Sequence, residues 1–325
     1  MQKRSKRFGL IGLVAMAICL MAALFLVSGC GSETKDTSEA TLKPSDSEPA
    51  EKVVLPTEPF YVLVVGNDSR ADTYEASDSA GNPYSDTIML VRVDPVNYQV
   101  TAVTVPRDTK IWIDGTPVKL NDSYSRGGID GLLDQIEWLT GVRPEYYLDM
   151  GFADFVKFID ALGGVTVDVP VEMSFKDVMT GEWIYLDPGE QDLTGQEALV
   201  FSRVRKIFYN SDASRQNDDR SVVASLINYI ANNPDKVKPA VQAMYDNMES
   251  NWEQVQFEGL VEDFAKNADK LVILSGTGPW DGDIDEESGL WMVPRDEETW
   301  AQLIETVNAG GDPNEVVYPA DMSLG

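Results

Sequence analysis

Short apolar runs, each closing on a polar cluster, set the rhythm of this chain. Phe60 to Val65 is apolar throughout and breaks at Gly66 into Asn67-Asp68-Ser69-Arg70. After a polar loop, Ser85-Asp86-Thr87 leads into Ile88 to Val93, and Val100 to Val105 ends on Pro106-Arg107-Asp108. Continuous apolar runs of this length predict buried strands. Lys110 to Ile113 reads as a short fourth strand before a turn at Asp114-Gly115. The period then changes. Leu132, Leu133, Ile136 and Leu139 recur at helical spacing within Asp130 to Leu139, and Gly141 stops that helix. Tyr146 to Met150 is strand-like, Phe152 to Leu162 is a second helix, and Val165 to Val169 alternates as a half-buried strand does. Thr194-Gly195-Gln196-Glu197 resembles a helix start. A long helix is predicted over Asp212 to Ile230, and further amphipathic helices reach Asn308 around an acidic loop at Asp281 to Gly289. Strands interleaved with helices predict an α/β layered sheet.

The two ends have a different texture. Lys3, Arg4, Lys6 and Arg7 precede an uncharged run from Phe8 to Ser32. A basic head followed by an apolar run is an export signal. Its end, Val27-Ser28-Gly29-Cys30, resembles a bacterial lipobox, in which cleavage leaves Cys30 as a lipid-modified N-terminus. The other reading is an uncleaved transmembrane anchor, because about 20 apolar residues can span a bilayer. Both place the basic head inside and the rest of the chain outside. Gly31 to Pro59 is rich in Ser, Thr, Glu, Asp and Pro and reads as a disordered tether. The organisation expected is a signal or anchor over 1–30, a tether over 31–59, one extracellular domain over 60–310, and a tail over 311–325.

Composition narrows the chemistry. The chain has 325 residues and a formal charge of −28. That charge argues against nucleic acid as a partner, since a phosphate backbone needs a basic surface. There is no histidine, which removes the usual general base and zinc ligand, so any metal site must be built from oxygens. The two cysteines, Cys19 and Cys30, both fall in the export segment.

Against this acidic background the arginines stand out. Arg70, Arg107, Arg203, Arg205, Arg215 and Arg220 lie in polar segments beside predicted buried elements. Guanidinium groups gathered without adjacent acids suit an anion, and a diphosphate is the natural one. The plainer alternative is a set of surface ion pairs, each of small worth. Asp68 and Asp86 sit where strands meet loops, as carboxylates for magnesium would, or as caps of turns. Neither a G-x-x-x-x-G-K nor a G-x-G-x-x-G loop is present, which argues against a nucleotide. The loop at Asp281-Gly282-Asp283-Ile284-Asp285 lacks the spacing of an EF-hand and reads as solvated.

Taken in order, Asn67-Asp68-Ser69-Arg70, Ser85-Asp86-Thr87-Ile88, Val105-Pro106-Arg107-Asp108, Lys119-Leu120-Asn121, Gly127-Gly128, Ala161-Leu162-Gly163-Gly164-Val165, Leu193-Thr194-Gly195 and Ser202-Arg203-Val204-Arg205 resemble the LytR–CpsA–Psr family of bacterial cell-envelope proteins. The resemblance covers Phe60 to Asn308. It implies a layered α-β-α fold with a central mixed sheet flanked by helices and an apolar cavity for a polyprenyl tail. It also implies transfer of a glycopolymer from a polyprenyl-pyrophosphate carrier to peptidoglycan at the membrane. Carried over by position, Asp68 and Asp86 are the Mg2+ carboxylates. Arg70, Arg107, Arg203, Arg205 and Arg215 are pyrophosphate contacts; Lys119 reaches the same ligand, and Arg220 stands nearby. Asp86, Arg107 and Asp108 are the catalytic candidates, with Asp86 or Asp108 as base in the absence of histidine. One departure is evident. Three and four residues beyond Arg215 the family usually has Arg-Gln, where this chain has Asp218-Asp219. Arg220 and Gln216 are shifted, and one residue on a helix turns a side chain by about 100°. The alternatives are therefore a polyprenyl-pyrophosphate binding protein and a pyrophosphohydrolase.

Overall fold

The computed structural model describes residues 54–69, 82–177, 180–203 and 237–318. Its centre is a six-stranded mixed sheet in the order β11-β6-β1-β2-β3-β12. The strands are β1 (Phe60–Asn67), β2 (Ser85–Asp94), β3 (Gln99–Thr104), β6 (Tyr146–Gly151), β11 (Glu249–Ser250) and β12 (Val272–Thr277). β1 pairs antiparallel with β2 and parallel with β6, while β3 pairs antiparallel with β2 and parallel with β12. Hence β1, β3, β6 and β12 all point one way. Their C-terminal ends and the start of β2 meet at one end of the sheet, where an open α/β sheet offers a site.

The apolar runs are continuous because both faces are covered. Phe60, Val62 and Val64 of β1 join Met89, Val91 and Val93 of β2 in one core; Leu63 and Val65 join Ile88 and Leu90 in the other. Alternate residues of a strand face opposite sides, so each run supplies two cores at once. Helices α2 (Phe152–Ala161), α3 (Gly195–Arg203), α4 (Val237–Tyr245) and α5 (Gln254–Lys266) bring Phe158, Phe201, Val241 and Phe257 to the first core. Helices α1 (Leu120–Thr140) and α6 (Glu297–Asn308) bring Ile136 and Trp300 to the second. The α-β-α layering and mixed sheet are those expected.

Local chemistry explains several boundaries. β4 (Lys110–Ile113) and β5 (Thr116–Lys119) form a hairpin whose turn residues Asp114 and Gly115 have φ of 52° and 75°, the double positive φ a tight hairpin turn needs. Helix α1 begins at Leu120, ten residues before the predicted Asp130, and is kinked at Gly128 (φ 61°, ψ −153°). The paired glycines thus bend one helix rather than precede it. At α3, the Thr194 amide donates to Glu197 Oε2 (2.8 Å) and the Glu197 amide to Thr194 Oγ1 (3.4 Å), a reciprocal cap. A Cβ on Gly195 would lie 2.3 Å from the Val156 carbonyl, so only glycine lets α2 and α3 pack this closely.

Three findings differ from the sequence reading. β12 was not anticipated: three apolar residues followed by Ser275-Gly276-Thr277 are too short and too polar at one end to announce an edge strand. Residues 311–318, within the predicted tail, pack onto the domain: Asn314 Nδ2 donates to the Ser275 carbonyl (2.6 Å), and Val317 is buried. The smaller hairpins β8 (Met173–Lys176) with β9 (Trp183–Leu186), and β13 (Asp283–Ile284) with β14 (Trp291–Met292), were also not foreseen. A further pair joins β7 (Val165–Val169) to β10 (Gly189–Leu193). Among the described residues no helix is long and apolar enough to cross a membrane. The predicted signal or anchor, most of the tether and the Asp212 to Ile230 helix lie outside the described residues.

Candidate functional site

The pairing of β1 with β2 slips between Gly66 and Asn67: Gly66 faces Thr87, but Asn67 faces Ser85. Asp86 is the extra residue of this bulge, and bulges re-aim side chains where a sheet ends. The Asp86 carboxylate accepts from the Arg107 guanidinium. Arg107 arrives on the turn that closes β3, where Thr109 Oγ1 donates to the Pro106 carbonyl (2.7 Å). Next to it, Asp108 accepts from Lys119 Nζ at 2.8 Å. The start of α1 is tied to the same turn: the Asn121 amide donates to the Arg107 carbonyl (3.1 Å) and the Leu120 amide to the Thr109 carbonyl (2.8 Å). These bonds set Lys119 opposite Asp108. All four side chains are largely buried, from 10% exposed for Asp86 to 28% for Lys119.

Asp68 sits one residue beyond β1. Its amide donates to the Tyr84 carbonyl (2.9 Å), and its Oδ1 accepts from the Tyr84 amide (2.6 Å). Asp68 thus fastens the approach to β2 and directly follows Asn67, the residue paired with Ser85. Asp68 and Asp86 therefore share one strand end, each offering the hard oxygens magnesium takes. Among the described residues no group of three or more acids, histidines or cysteines could hold a metal. A cation here would rely on one or two carboxylates plus water and substrate oxygens, a donor set that fits magnesium.

On the other flank of β1 lies a network the sequence reading missed. Asn67 Nδ2 donates to Asp149 Oδ1 (2.8 Å) and contacts Tyr124 Oη (3.2 Å), while Tyr124 Oη donates to Asp149 Oδ2 (2.5 Å). Burial raises the Asp149 carboxyl above the usual carboxylate range, and the bonds from Tyr124 and Asn67 oppose that rise only in part. Burial, then the neighbouring Asp149, pushes the Tyr124 hydroxyl up as well. The network borders a cavity of about 380 Å³. A signal for it existed: Asp149 interrupts an apolar strand, and an acid placed inside a buried run marks a functional candidate. Asn67 and Tyr124 lay within or just beyond the motif residues, without a role of their own.

Arg70, Arg205, Arg215, Arg220 and Cys30 lie outside the described residues, as does Asp218-Asp219. Of Arg203 the fold shows that it closes α3. Arg107, the member of the arginine set whose side chain is described, has a carboxylate partner in Asp86, and Lys119 has one in Asp108. The acidic loop is solvated as expected at Asp281, Asp283 and Ile284, which are exposed, while Asp285 is partly buried. Asp285 accepts from Lys110, which holds its carboxyl down at about 2, and it also accepts from the Ser288 amide (2.9 Å).

Comparison with known proteins agrees with this architecture. The model of the LytR_cpsA_psr family matches residues 26–306. The polyisoprenyl-teichoic acid–peptidoglycan teichoic acid transferase TagV of Bacillus subtilis is 30% identical over 62% of this chain and 52% of its own. The transferase of the same description, TagU of Bacillus cereus, is 30% identical over 69% and 71% respectively. The chain spans about half the length of several of these relatives, 53% for TagU of Halalkalibacterium halodurans. Among solved structures, B. subtilis TagV superposes with a TM-score of 0.64 at 25% identity, covering 82% of this chain and all of that one. TagT bound to LI-WTA superposes at 0.59 with 20% identity, covering 78% of this chain and 90% of that one, a likeness of fold. With a matching model over most of its length and the same sheet and layers, the chain belongs to the LytR–CpsA–Psr family.

Proposed function

We propose that this chain transfers a glycopolymer from a polyprenyl-pyrophosphate carrier to peptidoglycan on the outer face of the cytoplasmic membrane. The observation that carries the reading is the pair of cations, Arg107 and Lys119, held by Asp86 and Asp108 at the carboxyl end of the sheet. The relatives named as teichoic acid transferases support the same chemistry.

In the reaction an acceptor hydroxyl attacks the phosphorus nearer the glycopolymer. The bond to the bridging oxygen breaks, and polyprenyl phosphate leaves with the electron pair. Arg107 and Lys119 offer donors to the phosphate oxygens, where positioned charge lowers the barrier most. Their acids hold them in place beforehand, so little reordering accompanies binding. Asp86 or Asp108 takes the proton of the hydroxyl, the carboxylate being the remaining general base in a chain without histidine. Asp68 and Asp86 would hold Mg2+, which when bound neutralises charge on the pyrophosphate. The basic head and Val27-Ser28-Gly29-Cys30 support attachment through a lipid on Cys30, with an uncleaved membrane helix as the other form.

The test incubates the full chain in detergent with a polyprenyl-pyrophosphate glycan, soluble peptidoglycan and magnesium. A phosphodiester adduct that fails to form with EDTA supports the reading. Release of polyprenyl phosphate without peptidoglycan would identify a pyrophosphohydrolase instead.

A further inference from the structure

The cavity beside β1 differs chemically from the ion pairs across the same strand. It is lined by Asn67, Ser69, Tyr124, Asp149, Gly151 and Glu249 among others, and none of its lining residues is cationic. A phosphate would meet no cation there, and four of the lining side chains are carboxylates, Asp149, Asp154, Asp246 and Glu249. A neutral group rich in hydroxyls meets what it needs, because carboxylate oxygens accept from its hydroxyls. At about 380 Å³ the space falls within the roughly 300–1,000 Å³ of small-ligand sites.

Gly151 marks where the wall of this space is packed most tightly. Its backbone is extended (φ −78°, ψ 165°), a conformation open to any residue, so the constraint on it is one of space. A Cβ would lie 3.3 Å from Ser69 Cβ and 3.4 Å from both Asn67 Oδ1 and Asp154 Oδ2. Glycine therefore lets three polar residues converge closely at the edge of the cavity, and a larger side chain has to push into them or into the cavity. The wall behind is fixed: both oxygens of Asp149 are engaged, by Asn67 and Tyr124.

We propose that this cavity seats an uncharged, hydroxyl-rich sugar of the acceptor glycan strand, an assignment that rests on the transferase reading. Arg107 lies just beyond the end of β3 and Lys119 at the end of β5, and the cavity lies between the ends of β1 and β6. Phosphoryl transfer needs the attacking and leaving oxygens roughly in line. An acceptor sugar on the β6 side and a carrier headgroup on the β3 side approach from opposite flanks of β1. Tyr124 acts as a positioning residue, its oxygen held on the wall by Asp149.

Calorimetry on the full chain in detergent tests the seat, with a soluble peptidoglycan tetrasaccharide and a polyprenyl-pyrophosphate glycan as separate probes. Gly151→Val should weaken tetrasaccharide binding about tenfold or more, and the donor by less than about twofold. Glu249 is exposed, so Glu249→Gln leaves the core intact and should weaken the tetrasaccharide alone, by about threefold. That variant decides the matter if Gly151→Val fails to fold. In transfer assays Tyr124→Phe should raise the acceptor KM and leave the donor KM in place. Wild-type affinity for the tetrasaccharide in Glu249→Gln and Gly151→Val would overturn the seat, as would equal loss of both probes. Magnesium binding that Glu249→Gln abolishes, without any effect on the tetrasaccharide, would also overturn it. Tetrasaccharide binding at this cavity without transfer would leave the seat standing and remove the transferase reading, so the two failures are distinguishable.

Discussion

The two flanks of β1 solve opposite problems with the same backbone. Towards β2 and β3, cations meet carboxylates: Arg107 pairs with Asp86, and Lys119 with Asp108. Towards β6, a buried acid is satisfied by an amide and a phenol instead of a cation. Cations on carboxylates can share their donors with an arriving phosphate, because guanidinium and ammonium groups carry several N–H bonds. A carboxylate held by Asn and Tyr has no charge to share. The difference divides the strand end into a part suited to an anion and a part suited to a neutral hydroxyl.

The largest effect expected from breaking this division is at Arg107. Arg107→Ala removes one of the two cations seen at this end among the described residues, together with its bond to Asp86. Transfer should fall by about 10²–10³, read as kcat at saturating donor. Lys119→Ala should cost less, about tenfold, because its side chain is more exposed (28% against 16%) and charge at a wetter position is worth less. A larger loss at Lys119 than at Arg107 would reverse the ranking.

On the other flank the expected effect is on stability. Tyr124→Phe deletes a donor to a buried carboxylate, at a cost of about 1–3 kcal/mol, measurable by denaturant unfolding. The pH dependence sharpens it. Burial raises the folded pKa of Asp149 above its unfolded value, so the folded state binds the proton more tightly. Stability from this group is present at low pH and is lost as pH rises through the raised value. Without Tyr124 the rise is greater and the loss extends to higher pH. A Tyr124→Phe profile parallel to wild type would show that Asp149 does not titrate in this way.

The smallest effect is at Asp285, whose carboxyl Lys110 holds near 2 against an ordinary 3.8. A lowered folded pKa gives stability that is present above the unfolded value and lost as pH falls towards 2. Asp285→Asn should flatten that acid limb slightly, as thermal melts between pH 5 and 2 would report.

The legibility of the two flanks differs for the same physical reason. Strands β1, β2 and β3 were readable because both faces are buried and the apolar runs are unbroken. Their terminal acids and arginines were readable because charge next to such a run needs a reason. What each charge touches was not: Lys119 reaches Asp108 only because α1 is bonded to the turn after β3. Tyr124 and Asp149 are 25 residues apart, and neither carries a local signal that names the other. Edge strand β12 was hidden by its Ser-Gly-Thr end, which Asn314 and Pro313 cover from a segment far along the chain.

The most direct test of the central claim is mass spectrometry of the full chain turning over a polyprenyl-pyrophosphate glycan with soluble peptidoglycan and magnesium. The account predicts a phosphodiester-linked adduct with wild type and its loss in Arg107→Ala. An intact, tightly retained donor with no adduct would contradict transfer and identify a carrier-binding protein.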